Sequence, residues 1–430
     1  MYLIINETTY TAYRELSFAP ETDLTGSALP INEFSVQIVT TDDIAFGQYA
    51  ELYDDRDNLW AKYWIIYAER IDPKAVQIRA QSDLRLLDGV TLPAVMYDEE
   101  PVSDVIASVM VAQAGTPGLV VTVDYSLDDE FDEATVSGFC PEQTARQRLQ
   151  WVCFAIGAYV KSFFSDEIEI LPIGETAQII PLSSTMMTPS VTKKDYVTAV
   201  KVKAYTFTEG TPQTTDTWVT DGSDYYIVTE QEHTLANPSA PESAPDNVVT
   251  VEKLYLINSD NVSGILSRLA AMHFKRTEVE ADVIDNADYI PGDAVTIYTD
   301  DQTMLTGNIG SADFRFGLQA RAKLKLTAAE TVQGAKLTIN STFDDMPIGT
   351  SEYYLPVGYE YSVQMLYVDM EINAHRYILR PTTATVTGTM TSAGATVEVE
   401  YAVALDYYEN ILTVVSVDAL SQSEGAVTIT

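Results

Sequence analysis

The sequence predicts a mainly β protein with a small α+β insert: two antiparallel β-barrels, the insert between them, and a C-terminal β-sandwich. Three observations carry this prediction. Twenty-six tyrosines, with frequent Thr and Val, favour strands over helices. At 430 residues, 46% of them hydrophobic, the chain is long enough for two to four cores. Helical periodicity is confined to three short stretches, while alternation and turn signals fill the rest.

Residues 1–85 read as the first barrel. Its strands are EFSVQIVT at 33–40, QYAELYD at 48–54, LWAKYWIIYAERI at 59–71 and AVQIRA at 75–80, separated by TDD, DDRDN and DPK turns. Residues 86–184 read as the insert. In its first helix Val102, Val105, Ile106, Val109 and Met110 share one face, with Ser103 as N-cap and Gly115 as the stop. In its second, Thr144 and Gln147 form a capping-box pattern, and Ala145, Leu149, Val152, Cys153 and Ile156 make the apolar face before Gly157. Both faces are expected to bury mainly within the insert. Strands are expected at 119–126, 158–164 and 167–173.

Residues 185–331 read as the second barrel, opening with DYVTAVKVKAYTFTEG and carrying a third helix near Val262–Phe274. The Pro/Ser/Ala-rich LANPSAPESAPDN at 235–247 is an exposed loop. Residues 332–430 show strands and turns at sandwich spacing. Tyr353, Tyr354, Tyr359 and Tyr361 lie there, to cap the sandwich core or to form a contact surface.

One short pattern occurs twice. FGQYAELYDD at 46–55 and PGDAVTIYTDD at 291–301 align on Gly47 and Gly292. They share apolar residues at Ala50 and Val295 and at Leu52 and Ile297, and then a tyrosine, Tyr53 and Tyr298. A glycine turn followed by a half-buried strand is common in β proteins, and it is also what one domain built twice would leave. The apolar pairs are expected to face the cores and the tyrosines to face away.

The charge and the motifs restrict function. Sixty-three acids against 25 bases give a net charge of −38, which opposes tracking of nucleic-acid phosphates. No 18 apolar residues run together and the first residues carry no basic region, so neither membrane insertion nor a secretory signal is expected. His233, His273 and His375 lack zinc-ligand spacing. The acidic runs at 54–57 and 124–133 lack the spacing of a calcium loop. No nucleophile elbow, phosphate loop or dinucleotide fingerprint occurs. Cys140 and Cys153 read as buried thiols. The reading is therefore not an enzyme, with no cofactor and no metal.

TARQRLQW at 144–151, DYVTAVKVKAYTFTEG at 195–210, and YIPGDAVTIYTDD with MLTGNIG at 289–310 resemble, in their order, the bacteriophage baseplate or tail-tip hub proteins, the group with late control D proteins. The resemblance covers residues 1–330. It implies two barrels of the tail-tube type per subunit. It implies a homotrimeric ring that adapts a six-fold tail tube to a three-fold spike and lines the ejection channel. Its implied partners are the tube, tape-measure, spike and baseplate wedge proteins. DNA would pass without specific binding, repelled by lumen-facing carboxylates if the acids are more than a solvated surface. The implied location is the virion tail, assembled in the host bacterial cytoplasm. The alternatives are a receptor- or glycan-binding tail-tip protein and a tail-associated cell-wall hydrolase.

Overall fold

The structure is a computed structural model. It describes residues 1–54, 56–113, 120–174, 177–180, 184–211, 213, 217–284, 289–298, 304–315 and 321–332. Beyond these it gives the strand pairing of 335–343, 346–355, 368–372, 375–379, 386–392, 395–405 and 411–423. The chain divides into two units, Met1–Thr299 with Leu305–Glu330, and Asp300–Met304 with Thr331–Thr430.

The first unit begins with β1 (Tyr2–Ile5), β2 (Thr8–Tyr10), β3 (Tyr13–Phe18), β4 (Glu33–Val39), β5 (Tyr49–Tyr53), β6 (Leu59–Asp72) and β7 (Ala75–Gln81). The insert follows as β8 (Thr91–Leu92), β9 (Val95–Pro101), α1 (Val102–Met110), β10 (Val111–Gln113), β11 (Val120–Thr122), β12 (Tyr125–Leu127), β13 (Thr135–Cys140), β14 (Gln143–Thr144), α2 (Ala145–Ile156), β15 (Ala158–Lys161) and β16 (Ile168–Pro172). After it come β17 (Gln178–Ile180), β18 (Ser190–Lys193), β19 (Ala199–Glu209), β20 (Trp218–Thr220), β21 (Tyr225–Ala236), β22 (Val248–Val251), α3 (Val262–His273), β23 (Thr277–Ile284), β24 (Ala294–Tyr298), β25 (Met304–Arg315) and β26 (Arg321–Val332). Strand thus dominates and three α-helices are described, the mainly β class with a small helical part that the sequence predicts.

One 13-stranded sheet joins both ends of this unit. Its first half runs β1-β5-β6-β7-β4-β3, with the short β2 added outside β1, and its second half β17-β24-β25-β26-β23-β18. Ranked by position in the chain, and with β2 set aside, both halves read first, fourth, fifth, sixth, third, second. The first-ranked strands differ, since β1 is antiparallel to β5 while β17 is parallel to β24. Alternation explains the buried face. On β4 it puts Phe34, Val36 and Ile38 inside, and on β23 Val279, Ala281 and Val283.

The halves meet where β25 pairs with β3 through Phe314 opposite Phe18 and Arg315 opposite Ser17. The Phe18 and Phe314 rings stack at 5.9 Å, and Trp60 and Phe164 pack edge-on against Phe314 at 4.8 and 5.6 Å. Tyr63 is fully buried beside Phe18 and donates from its hydroxyl to the Ser162 carbonyl at 2.8 Å. The first half, the second half and the end of the insert thus share one aromatic cluster.

A second core holds the helices. Val105, Ile106, Val109, Leu149, Val152 and Cys153 are buried there, as the helical spacing predicts. They are joined by Val200 and Val202 of β19 and by Ile265 and Leu269 of α3. The helix faces therefore bury against strand and helix residues well beyond the insert, because β19 and α3 bring apolar stripes that would otherwise stay wet. Arg268 of α3 donates to the Phe154 carbonyl and lies over the Phe154 ring at 5.0 Å, fastening α3 to α2.

Local signals set the helix ends. Thr144 and Gln147 form the reciprocal capping box, and left-handed Gly157 closes α2. Helix α1 starts differently from the expectation. Pro101, not Ser103, occupies the N-cap position, with its fixed φ of −56° turning the chain, and the Val102 N–H is satisfied by the Ala134 carbonyl at 2.9 Å. The helix ends at Met110, and the expected stop, Gly115, lies outside the described residues.

The second unit contains β27 (Ala335–Phe343), β28 (Met346–Leu355), β29 (Val368–Ile372), β30 (His375–Leu379), β31 (Val386–Ser392), β32 (Ala395–Leu405) and β33 (Ile411–Ser423). Five of them form an antiparallel sheet in the order β28-β27-β31-β32-β33, and β29 and β30 form a hairpin.

Removing one buried leucine tests the helical core. Leu149→Ala is expected to cost about 2–5 kcal/mol, and Thr144→Ala, which removes only the cap, about 1 kcal/mol, both read as shifts of a denaturant midpoint.

Candidate functional site

The two glycine-led strands occupy corresponding places in the two halves. Gly47 (φ 81°) and Gly292 (φ 105°) both adopt a conformation that disfavours a side chain. The Gly47 N–H donates to the Ile65 carbonyl at 2.9 Å, and the Ile65 N–H returns to the Gln48 carbonyl at 2.8 Å. The Gly292 N–H donates to the Ile309 carbonyl at 2.8 Å, and the Ile309 N–H returns to the Asp293 carbonyl at 2.9 Å. Ala50 and Leu52 on β5, and Val295 and Ile297 on β24, are buried in the same apolar cluster. Tyr53 and Tyr298 are half-buried. Tyr53 stacks on Tyr2 at 5.1 Å and donates to Glu51 at 3.0 Å; burial and then that carboxylate push its phenol up to about 12.

The surroundings of the two turns differ. A side chain at Gly292 would meet the Tyr159 ring and hydroxyl at 2.5–2.7 Å, whereas one at Gly47 would meet only Trp64, at 3.9 Å. Phe46, beside the uncovered turn, is 77% exposed.

Some of the charge is held in local contacts. Tyr49 donates to Asp83 at 3.0 Å, while the Asp83 Oδ1 atom is buried without a hydrogen-bond partner. Burial accordingly raises the Asp83 carboxyl to about 6, against the pull of Tyr49 and Lys62. On β19 and β21, Lys201 pairs with Glu232 at 3.0 Å and Lys203 with Glu230 at 2.9 Å.

Members of the acidic runs singled out in the sequence act in turns and caps. Asp54 accepts from the Arg56 and Asn58 N–H groups at 2.7 and 2.8 Å; burial opposes its ionisation, but these bonds hold it below the usual carboxylate range. Asp57 accepts from Tyr2 at 2.9 Å, and Asp55 lies outside the described residues. Asp128 caps a short helical turn by accepting from the Glu130 N–H at 3.0 Å. Among the described residues no three His, Cys, Asp or Glu side chains come together to hold a metal ion.

The remaining candidates are dispersed. His233 lies on β21 opposite Val202, His273 ends α3, and His375 lies on β30 opposite Ile372. Burial lowers the His273 pKa. His273 borders a cleft of about 220 Å³ between the halves, with Asp23, Lys194 and Glu278 on its wall. Asp23 is already engaged, accepting from Thr25, Ser27 and Ala28. Cys140 and Cys153 are free and buried, which pushes both thiols up to about 12. Tyr353 and Tyr354 fall on β28 opposite Leu337 and Lys336, while Tyr359 and Tyr361 lie outside the described residues. No described helix is long and apolar enough to cross a membrane.

Sequence reasoning passed over the aromatic seam of Phe18, Phe164 and Phe314, whose members lie far apart in the chain. It also passed over the buried Arg148, which donates to the Pro93 and Pro141 carbonyls at 2.6 and 3.2 Å. The signal for Arg148 was available: a basic residue beside Leu149 on the apolar side of α2 needs carbonyl partners.

Two substitution tests follow from these contacts. Gly292→Ala is expected to lower the melting temperature more than Gly47→Ala, because both strain the backbone but only the first also displaces Tyr159. Asp83 binds its proton more tightly folded than unfolded, so its contribution is full at pH below about 4 and is lost as pH rises through about 6. Asp83→Asn is therefore expected to stabilise the protein at pH 8 relative to the parent, on the order of 1 kcal/mol after solvent screening, and to lose that advantage at pH 4.

No protein-family model matches the sequence, and neither does any curated protein. Solved structures do. The tail protein from Neisseria meningitidis is 11% identical, with a TM-score of 0.54 over 76% of this chain and 95% of that one. The 43 kDa tail protein of prophage MuSo2 from Shewanella oneidensis is 9% identical, with a TM-score of 0.49 over 76% and 96%. A prophage tail protein from Listeria monocytogenes is 11% identical, with a TM-score of 0.48 over 76% and 94%. The chain shares its fold with the tail protein of Neisseria meningitidis.

Proposed function

We propose that this protein is a structural hub of a phage-type tail, a homotrimeric ring that adapts a six-fold tube to a three-fold spike. The observation that carries the reading is the repeated strand order within one chain. Two halves with the same six-strand connectivity give three chains six comparable modules, which is the count a six-fold tube requires. Such a ring closes through heterologous contacts, each subunit offering one surface to the next and accepting the other.

The role is positional rather than chemical, with the ring holding a channel in register between tube and spike. The net charge of −38 suits a channel wall, because carboxylates repel phosphate and let DNA pass without adhering. The tube, tape-measure, spike and wedge proteins are the partners this role requires, and the tail of the virion is its place. Residues 332–430 make up most of a separate unit, which the ring in this reading does not require.

A native mass of three chains, and in projection a ring with six similar lobes, are the expected outcomes; a monomer under all conditions would remove the ring. Particles lacking residues 332–430 are expected to assemble and still adsorb. Assembly with lost adsorption would transfer the main role to receptor binding.

A further inference from the structure

We propose that neighbouring copies of this chain join by β-sheet pairing between residues 66–71 of β6 and residues 190–195 of the next copy, in the register used internally between the two halves. This rests on the ring reading above and specifies the contact that closes it.

The register follows from equivalent strands. The two glycine turns make Ile65 and Ile309 equivalent through their reciprocal hydrogen bonds. Burial then matches along both strands, Ala61 with Leu305, Tyr63 with Gly307 and Ile65 with Ile309, and the half-buried Ala68 falls where Ala312 is buried. Both lose strict alternation at the same point, so Arg70 corresponds to Phe314 and Ile71 to Arg315. On the other side, β4 and β23 correspond through their pairing with β7 and β26, Phe34 opposite Ala80 matching Val279 opposite Leu326. Phe18 lies opposite Phe34 and Val191 opposite Val279, so Val191 corresponds to Phe18 and Ser190 to Ser17.

Internally, Phe314 pairs with Phe18 and Arg315 with Ser17. The pairing continues through Glu21 opposite Ser311, with the Thr22 N–H on the Gly310 carbonyl at 2.9 Å and the Ala312 N–H on the Pro20 carbonyl at 3.0 Å. Transferred to two copies, this places Arg70 opposite Val191, Ile71 opposite Ser190, Tyr67 opposite Lys194 and Glu69 opposite Thr192. Glu69 then lies diagonal to Lys194, an opposite-charge neighbour.

Both strands are free to accept such a partner. Among the described residues, β6 beyond Ile65 pairs only with β7, and β18 pairs only with β23. All four residues of β18 are exposed. Exposed large apolar side chains gather at these edges, Phe46, Tyr67 and Ile71 at one and Met186, Met187 and Val191 at the other. An open, apolar edge strand is a template for another strand, and soluble proteins ordinarily blunt it. The occupant is a second copy because each edge corresponds to a strand that already has its partner inside the chain.

The test is a cysteine pair, Ile71→Cys with Ser190→Cys, in the full chain. The internal hydrogen bonds make the corresponding site a closely spaced pair with Cα atoms about 4.5 Å apart, within disulfide reach. Cys140 and Cys153 are buried and leave the readout clean. Mild oxidation is expected to give covalent dimers and trimers that dithiothreitol dissolves, roughly tenfold faster than the shifted pair Ile71→Cys with Thr192→Cys. A native trimer that does not cross-link, equal rates for the two pairs, or dimers from Ile71→Cys alone would overturn the register while leaving the ring standing. A protein that stays monomeric by native mass would overturn the ring, and this seam with it.

Discussion

The first unit depends on the stacking of Phe18 against Phe314. These two rings, 5.9 Å apart, bring an N-terminal strand onto one nearly three hundred residues later, and everything between must fold so that the two can meet. Trp60, Tyr63 and Phe164 close around them, and the Phe164 N–H donates to the Trp60 carbonyl at 2.8 Å, tying the insert to the first half. Aromatic clusters of this kind bury large areas and add edge-to-face attraction, so a few residues can hold a long-range seam. Without it the sheet would end at β3 on one side and β25 on the other, leaving two small sheets with raw edges.

The same backbone solution then appears in two environments. Gly47 and Gly292 make matching reciprocal hydrogen bonds, but the second turn is covered by Tyr159 of the insert and the first leaves Phe46 in solvent. Equivalent local structure has been kept while the surroundings diverged. Turn and strand chemistry is set by few residues, whereas what packs over a turn depends on neighbours free to change. The acidic surface follows a similar logic. Individual carboxylates cap turns at Asp54 and Asp128 or pair with lysines on β19, so these acids have local structural work before any field is considered.

How much was legible in the sequence can be judged from particular elements. The Thr144–Gln147 capping box, the face of α2 and the strands Glu33–Val39 and Ala75–Gln81 were readable because periodicity and capping act within a few residues. The start of α1 was not, since Pro101 and the carbonyl of Ala134 decide it through a contact made only on folding. Nor was the sharing of cores: Val200 and Val202 alternate like any half-buried strand, and nothing local says that their partners are Ile106 and Leu149's neighbours in the helical core. The repeated glycine strand was visible as a pattern, while the strand order around it was not.

By itself, the sequence determined the mainly β class, the three helices, the glycine turns at Gly47 and Gly292 and the acidity that opposes phosphate binding, because each rests on composition or on interactions within one turn of chain. Only the tertiary structure decided that β25 pairs with β3, that both halves run through the same order of strands, and that β6 and β18 keep open edges among the described residues. Strand partners are chosen by burial and hydrogen bonding between segments distant in sequence. Those energies exist only once the chain has brought the segments together.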